Sequence, residues 1–364
     1  MAVYGTVAPG LSSGPWESSC TIAPASIASS RPARCAPRRH ASGPGAGGAG
    51  HRAGRSLGDA GACRARSGPS RAPLAGAWLV AAALALYALY ARAWSGLAPF
   101  AAAALCLAWW WRGIKPSLDR PWQAEVARLL AGSTDGQRVR LRNVRDFHWR
   151  GADDFDARWR DDEYDLGMLE SVDLVLSYWG RAAIAHTMVS FGFADGRHLA
   201  FSVEIRRKVG EKFSEIGGFF RQYERCIVAA TEQDCMRVRT NIRGEDGYLY
   251  RVRMPREGAQ ALFLAYVHAA NQLRERPRFY NTLTANCTTI VFRLAEQVAP
   301  GLPLDYRLLL SGYLPGYLYD LDALEGVGTL AERRAAARYT DRARAEPDPA
   351  AYSAAIRAPR RAAA

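Results

Sequence analysis

Motifs that usually reveal a metal or redox function are missing from this sequence. Its 364 residues include seven cysteines and six histidines, and no two cysteines stand at a CxxC spacing. No group of Cys and His has the spacing of zinc ligands either, so we expect neither a structural metal nor a cofactor. Cys226 and Cys235 are either small buried apolar residues or a pair that bonds in an oxidising compartment.

Signatures of nucleic-acid binding are also missing, although the net charge is +13 and the pI is about 9.7. No RNP, helix-turn-helix or zinc-finger pattern occurs, so we expect no nucleic-acid partner. Arginines recur through residues 237–253, where they form either a solvated face or a surface for phosphate headgroups. They are Arg237, Arg239, Arg243, Arg251 and Arg253.

Acidic residues are scarce at the start of the chain, where residues 1–72 hold nine arginines and two acids. This segment is rich in Gly, Ala, Ser and Pro and has no hydrophobic period, which predicts a disordered basic tail. Because the tail precedes an apolar segment, we expect an anionic membrane surface as its partner.

Charges are absent from two apolar runs, residues 74–91 and 93–111, which Arg92 separates. Each run is long enough to cross a hydrocarbon core about 30 Å thick. The second ends in three tryptophans followed by Arg112 and Lys115, a pattern typical of a helix leaving the bilayer. Residues 73–112 are therefore predicted to form two transmembrane helices; the alternative is a buried hairpin of a soluble protein.

Residues 119–330 have the mixed composition of a globular domain. Alternating apolar and polar residues predict several strands, among them a short one at 235–240, and the Ala-Asp-Gly turn at 194–196 predicts a hairpin over 184–206. Helical periodicity follows in 255–276 and 287–299. The pattern predicts an α+β domain with an antiparallel sheet. The Ala/Arg-rich tail over 331–364 is predicted to be frayed or disordered, the alternative being one helix within it.

The segment Asn-Cys-Thr-Thr at 286–289 carries the first candidate for chemistry. Asn286 is a good helix N-cap, so Cys287 is placed in the first turn of a helix. Unpaired N–H groups and the helix dipole favour a thiolate there, and they are also able to stabilise an oxyanion. The alternative interpretation is an ordinary buried cysteine.

His186 is the best candidate for the base of such a thiol, because it interrupts an apolar strand. It is otherwise a core histidine with a satisfied hydrogen bond. Glu204 shares a strand face with Ser202 and Arg206, and this face is either a polar row across from His186 or a solvated edge. We predict that Glu204 orients the imidazole as the third member of the site.

Several of these segments in order resemble the Lnb-type N-terminal periplasmic domain family of bacteria. The segments are KPSLDRPW, NVRDFHW, AIAHTMVSFGFADGRHLAFSVEIRRKVGE, GGFFRQYE, YNTLTANCTTIVFR and LLLSGY. The resemblance runs from about Asp119 to about Ser311. It implies a permuted papain-like, NlpC-like thiol enzyme in which the histidine strand precedes the cysteine helix. It also implies that Cys287 is the nucleophile and His186 its base.

Namesake members of that family are lipoprotein N-acyltransferases. The resemblance therefore implies a membrane-anchored, cysteine-dependent acyltransferase that acts on a membrane lipid or a lipoprotein. From their place in the family motifs, six further residues are predicted to bind substrate: Asn286, Arg206, Arg221, Tyr223, Tyr280 and Asn281. The alternatives are a thiol peptidase or amidase of the cell envelope, and a non-enzymatic binding module anchored in the membrane.

The location of the domain depends on two arguments that disagree. Positive charges before and after the two apolar runs place both ends in the cytoplasm. The family context implies instead a bacterial inner-membrane protein whose catalytic domain lies in the periplasm, and we adopt this second prediction.

Overall fold

The computed structural model describes residues 72–91, 97–214 and 216–359. The predicted basic tail lies outside the described residues except for its last residue. Two helices, α1 (Ala72–Tyr90) and α2 (Leu97–Gly113), occupy the two apolar runs. Among the described residues, no helix is long and apolar enough to cross a membrane. The two predicted transmembrane spans are therefore not confirmed.

Strands make up the centre of the domain, as the alternating pattern predicted. In chain order β1 to β10 they are Ala131–Asp135, Arg138–Arg145, His148–Trp149, Phe155–Asp156, Trp159–Asp165, Leu169–Tyr178, Ala185–Phe193, His198–Arg206, Glu224–Thr231 and Asp246–Arg251. One sheet has the order β1-β2-β9-β8-β7-β6-β10, with β5 paired to β2, while β3 and β4 pair separately. Its pairings are antiparallel except that β2 and β9 are parallel, so the sheet is mixed rather than purely antiparallel.

The predicted hairpin is formed by β7 and β8. Gly196 in its turn has φ of 82°, a left-handed conformation that glycine adopts without strain. The register pairs Met188 with Ser202. Extending this register by two residues places His186 across from Glu204, so the hairpin brings two of the predicted site residues together.

Helices α4 (Arg256–Glu275) and α5 (Cys287–Val298) pack together over β1, β6, β7, β8 and β9. The apolar residues of α4 recur every three or four positions, and this stripe is buried against the sheet. It comprises Ala259, Leu262, Phe263, Tyr266, Val267, Ala270 and Leu273. Phe191 and Phe201 of the hairpin meet Phe263 edge to face. This core fixes the position of α5 relative to the hairpin.

The C-terminal segment packs against the sheet in three short helices. These are α7 (Leu330–Ala337), α8 (Thr340–Ala345) and α9 (Tyr352–Arg357), preceded by α6 (Leu314–Asp320). The sequence predicted a frayed or disordered tail over 331–364, with one helix as the alternative, whereas three helices occupy most of its described part, residues 331–359. A few large side chains explain the difference, because Tyr339, Tyr352 and Ile356 are buried.

Residues 235–240, predicted as a strand, belong instead to helical turns. Helix α3 (Glu232–Cys235) is followed by a π-helical turn at Val238–Ile242. The cause is a buried carboxylate: Asp234 accepts hydrogen bonds from Arg145, from the indole of Trp149 and from the backbone of Phe147. The donors lie at the end of β2 and in or next to β3, far from Asp234 in the chain. The alternation within residues 235–240 therefore did not reveal these contacts.

Candidate active site

Helix α5 begins at Cys287, as the Asn-Cys-Thr-Thr sequence predicted. Oδ1 of Asn286 accepts hydrogen bonds from the backbone N–H groups of Thr288 and Thr289, at 2.9 and 2.8 Å. Thr289 Oγ1 accepts in turn from the backbone N–H of Asn286 at 2.9 Å, which completes a capping box. Cys287 is therefore held at the first helical position, where the helix dipole favours a thiolate.

His186 lies on β7 with 8% of its surface exposed, and it is hydrogen-bonded to Cys287. Its Nε2 atom is 2.7 Å from Ser202 Oγ and 3.2 Å from Glu204 Oε1. Ser202 Oγ donates a hydrogen bond to Glu204 Oε1 at 2.7 Å, so it accepts a hydrogen bond from Nε2–H of His186. Nδ1 is therefore the ring nitrogen left for the hydrogen bond with the sulfur of Cys287.

The carboxylate of Glu204 is held from a second direction by Arg239. Nη2 of Arg239 donates to Glu204 Oε1 at 3.2 Å, and Nη1 of the same guanidinium donates to Glu245 Oε2 at 3.2 Å. Ser177 Oγ donates to that oxygen of Glu245. A chain of hydrogen bonds thus runs from His186 through Glu204 and Arg239 to β6, and it fixes the imidazole ring in one orientation.

Burial and neighbouring charges oppose each other at this site. Burial disfavours a charged His186, as does Arg239, but the charge of Glu204 and the hydrogen bonds to Cys287 and Glu204 prevail and raise the pKa of His186 to about 9. Burial also disfavours the Cys287 thiolate, yet the hydrogen bond and charge of His186, with the N–H of Thr187, lower the thiol pKa. The pKa of Glu204 lies well below its usual value despite burial, chiefly because of His186. The site therefore favours thiolate, imidazolium and carboxylate together.

A cavity of about 590 Å³ opens beside the Cys287–His186 pair, a volume suited to a small or medium-sized substrate. Four of its lining side chains are apolar and 39–53% exposed, so they mark the place where the cavity meets the solvent. They are Trp179, Phe213, Phe219 and Leu309, which we call the cavity mouth. Several of the more buried lining residues are charged, among them Arg145, Glu204 and Arg239, so the cavity is amphipathic.

Three of the predicted substrate-binding residues line this cavity: Asn286, Tyr223 and Tyr280. Asn286 uses its side chain for the helix cap and for a hydrogen bond to the carbonyl of Thr282. Tyr223 donates its hydroxyl to the carbonyl of Lys212. Burial, with smaller contributions from Cys287 and Glu204, raises the pKa of Tyr280, which keeps this phenol a hydrogen-bond donor beside the thiol.

The other three predicted substrate-binding residues lie outside the cavity lining, and their contacts are with the protein itself. Arg206 donates to the carbonyls of Val126 and Ala127 and lies over the Trp122 ring. Arg221 donates to the carbonyl of Trp111 at the end of α2. Asn281 Oδ1 closes the turn before α5 by accepting from Leu283 and Thr284. In this structure these three residues hold segments of the fold in place.

Sequence reasoning assigned no role in the site to Ser202 or to Arg239. Ser202 was detectable in principle, because it shares its strand face with Glu204 and lies two residues from it. Arg239 was grouped with arginines of a solvated or headgroup-facing surface, and only the helical turn at Val238–Ile242 carries it inward. Among the described residues, no three or more His, Cys, Asp or Glu side chains form a group that could hold a metal ion.

Comparison with known proteins gives one family match. Residues 155–312 match the model of the Lnb N-terminal periplasmic domain, whereas no curated protein and no solved structure matches. The matched segment contains the histidine hairpin and the start of α5, and it begins later than the predicted boundary at Asp119. The predicted resemblance is thus confirmed over residues 155–312, the segment that matches the Lnb N-terminal periplasmic domain.

Proposed function

We propose that this protein is a cysteine-dependent acyltransferase that takes its acyl group from a lipid-linked ester and acts in the periplasm. The observation that carries the proposal is the hydrogen-bonded pair of Cys287 and His186 beside an amphipathic cavity. The pair has the nucleophile, the base and, in Glu204, a group that orients the base. The match to a periplasmic domain family supports the location.

The first half of the reaction forms a thioester. Nδ1 of His186 holds the proton of Cys287, and the thiolate attacks the carbonyl carbon of the ester. As the tetrahedral intermediate collapses, the ester C–O bond breaks and His186 gives its proton to the departing alkoxide. The second half reverses these roles: an amine attacks the thioester, loses its proton to His186, and the thiolate leaves.

The oxyanion of these intermediates needs hydrogen-bond donors close to the sulfur. Among the first four amides, those of Thr288 and Thr289 donate to the Asn286 side chain, and that of Asn286 donates to Thr289 Oγ1. The amide of Cys287 itself is the remaining one of the four that a helix start leaves unpaired. We propose this amide and the phenol of Tyr280 as the two donors.

The apolar cavity mouth favours a lipid substrate over a fully polar one. Phe219 belongs to the segment next to Phe220, whose ring meets Trp111 at the end of α2 edge to face. Helix α2 exposes further large apolar side chains, among them Trp109 and Trp110. An acyl chain entering the mouth is thus shielded from water on several sides.

The test is the intact mass of the purified protein after incubation with a diacylated lipopeptide. Wild type is expected to gain an acyl adduct that hydroxylamine removes, which identifies a thioester, while Cys287→Ala gains none. Cys106→Ala is the matched control, because Cys106 is exposed on α2 and lies outside the cavity lining. An adduct that survives in Cys287→Ala would refute the assignment of the nucleophile. A wild type that reacts quickly with iodoacetamide but forms no adduct would refute acyl transfer and favour peptide or amide hydrolysis.

A further inference from the structure

Two arginines in the cavity lining have no part in the mechanism proposed above. Arg207 directly follows β8, and Arg243 directly follows the helical turn that carries Arg239. Both guanidinium groups are partly buried, with 26% and 32% of their side chains exposed. Placing two cations in one half-enclosed cavity is unfavourable unless an anion compensates them.

The protein itself supplies one weak counter-charge for both. The carboxylate of Glu125 lies 3.7 Å from Arg207 and 3.8 Å from Arg243, beyond hydrogen-bonding distance in each case. Within the part of the chain that the structure describes, these are their ion pairs, so a single carboxylate lies within ion-pair distance of both arginines. The donors of both guanidinium groups remain free for a further acceptor.

The other arginines of the cavity provide an internal comparison. Arg145 forms two hydrogen bonds with the buried carboxylate of Asp234. Arg239 is bound by Glu204 and by Glu245. The charges of Arg145 and Arg239 are thus balanced by carboxylates, and these two arginines have structural roles in the fold and in the site. Arg207 and Arg243 differ from them, because among the described residues neither has a carboxylate within hydrogen-bonding distance.

Arg243 is also held in position for a ligand. Its guanidinium lies over the Trp149 ring, 5.8 Å from the centroid, and the indole N–H of Trp149 is fixed to Asp234 at 2.7 Å. Burial and the nearby charge of Arg239 lower the pKa of Arg243, although the carboxylates of Glu125, Glu245 and Glu204 oppose this shift. A bound anion would relieve both effects.

We infer that Arg207 and Arg243 form an anion subsite that binds the phosphodiester of a glycerophospholipid, whose ester-linked acyl chain is the one transferred through Cys287. Guanidinium groups present paired N–H donors that match two phosphate oxygens, which makes arginine the preferred residue for such recognition. One cavity thus offers a cationic region for the headgroup, the apolar mouth for the chains and a thiolate for the ester.

This inference rests on the proposed function and specifies its acyl donor. The Sγ–acyl bond of Cys287 forms, the ester C–O bond of the phospholipid breaks, and His186 protonates the released glycerol oxygen. A lysophospholipid departs with the phosphate group unchanged. The reaction requires no oxidant, reductant or further reactant until the amine takes the acyl group.

The experiment measures how well short-chain lipids protect Cys287 of the full-length protein from iodoacetamide, with the Cys287 peptide quantified by mass spectrometry. The probes are dihexanoyl phosphatidylglycerol, the uncharged dihexanoylglycerol and inorganic phosphate. The phospholipid is expected to protect at a concentration at least about tenfold lower than the uncharged lipid, as two charge-assisted hydrogen-bonding groups predict. The variants Arg207→Gln and Arg243→Gln should lose this preference, each by about tenfold.

Arg142→Gln is the matched control, because Arg142 is exposed on β2 and outside the cavity lining. It should keep the wild-type preference. Unchanged protection by dihexanoylglycerol in Arg207→Gln and Arg243→Gln would show that their cavities are intact. Equal protection by the charged and uncharged lipids in wild type would overturn the subsite, and so would protection by inorganic phosphate alone at the same concentration. A Cys287 that reacts slowly with iodoacetamide in the absence of any lipid would instead refute the proposed function.

Discussion

Single residues decide the protonation states on which the reaction depends. Ser202 donates a hydrogen bond to Glu204, so it accepts one from Nε2 of His186, which is therefore protonated. Nδ1 is then the nitrogen left for the thiol. Glu204 is itself kept ionised, chiefly by His186 and also by Arg239. The ion pair of thiolate and imidazolium therefore exists over a limited pH range, bounded below by the pKa of Cys287 and above by that of His186.

The pH dependence of acyl transfer is the first prediction at this scale. We expect kcat/KM to rise as pH passes through the lowered pKa of Cys287 and to fall above about 9, where the imidazolium loses its proton. Alkylation of Cys287 needs the thiolate alone, so its rate should stay high above pH 9. Transfer that stays constant from pH 8 to pH 11 would contradict the role of His186.

Removing the charge of Glu204 should shift the alkaline limb of the plot of kcat/KM against pH. Glu204 raises the pKa of His186, so Glu204→Gln is expected to shift the alkaline limb to lower pH and to reduce kcat. Glu163→Gln is the control, because Glu163 forms exposed ion pairs on the surface. An alkaline limb at the same pH in Glu204→Gln and wild type would show that Glu204 does not act on the imidazole.

Tyr280 should contribute to the transition state rather than to binding. Loss of one oxyanion donor typically reduces kcat by about 10²–10³-fold. Tyr280→Phe is therefore expected to lower kcat within that range while KM changes little, as steady-state kinetics would measure. Tyr223→Phe, which loses a hydroxyl bonded to a backbone carbonyl, is the control. A change confined to KM would show that Tyr280 binds substrate and is not an oxyanion donor.

Helix α5 depends at its start on the side chain of Asn286. Replacing a capping Asn by Ala costs about 1 kcal/mol of stability. Asn286→Ala should lose this amount in urea denaturation and should also slow the alkylation of Cys287, because the first turn that carries the thiol loosens.

A second helix provides the control for this prediction. Thr329 caps α7 with the same kind of reciprocal hydrogen bonds. Thr329→Ala is expected to lose a similar free energy of unfolding while the alkylation rate of Cys287 stays at the wild-type value. An Asn286→Ala variant whose thiol reacts as fast as wild type would show that the cap serves stability alone.

At the scale of the whole molecule, the C-terminal helices close one side of the sheet and balance its buried charges. Arg357 on α9 donates to Asp173 on β6 and to Glu232 at the start of α3. Both carboxylates are buried, at 0% and 1% exposure. The last ordered helix is therefore part of the domain, and not an appendage to it.

Loss of Arg357 should leave the buried carboxylate of Glu232 without its guanidinium partner, while Asp173 keeps its ion pair with Arg251. Breaking a buried ion pair from one side destabilises a protein by about 3–5 kcal/mol, and Arg357→Gln is expected to lose a free energy of unfolding in this range by urea denaturation. Arg253→Gln breaks an exposed pair with Asp322 and should lose only about 0–1 kcal/mol. Equal losses in the two variants would contradict the structural role of α9.

Helices and strands were predictable wherever signals within a few residues determine them. The turn at 194–196 and strict alternation gave the β7–β8 hairpin, and the period of α4 gave its buried stripe. Prediction failed where distant groups override local preference. The segment 235–240 alternates like a strand, but Asp234 is bound by residues nearly ninety positions away, and the chain turns as a helix.

Local sequence signals were enough to place a cysteine at a capped helix start and a histidine and a glutamate in one hairpin, because caps, turns and strand periods act over a few residues. The tertiary structure brings these groups together, adds Ser202 and Arg239 to them, and engages Arg206, Arg221 and Asn281 in contacts within the fold. It also decided which arginines of the cavity keep free donors. These outcomes depend on contacts between elements that are far apart in the chain. A buried charge requires a partner, and the local sequence pattern does not indicate which distant residue that partner is.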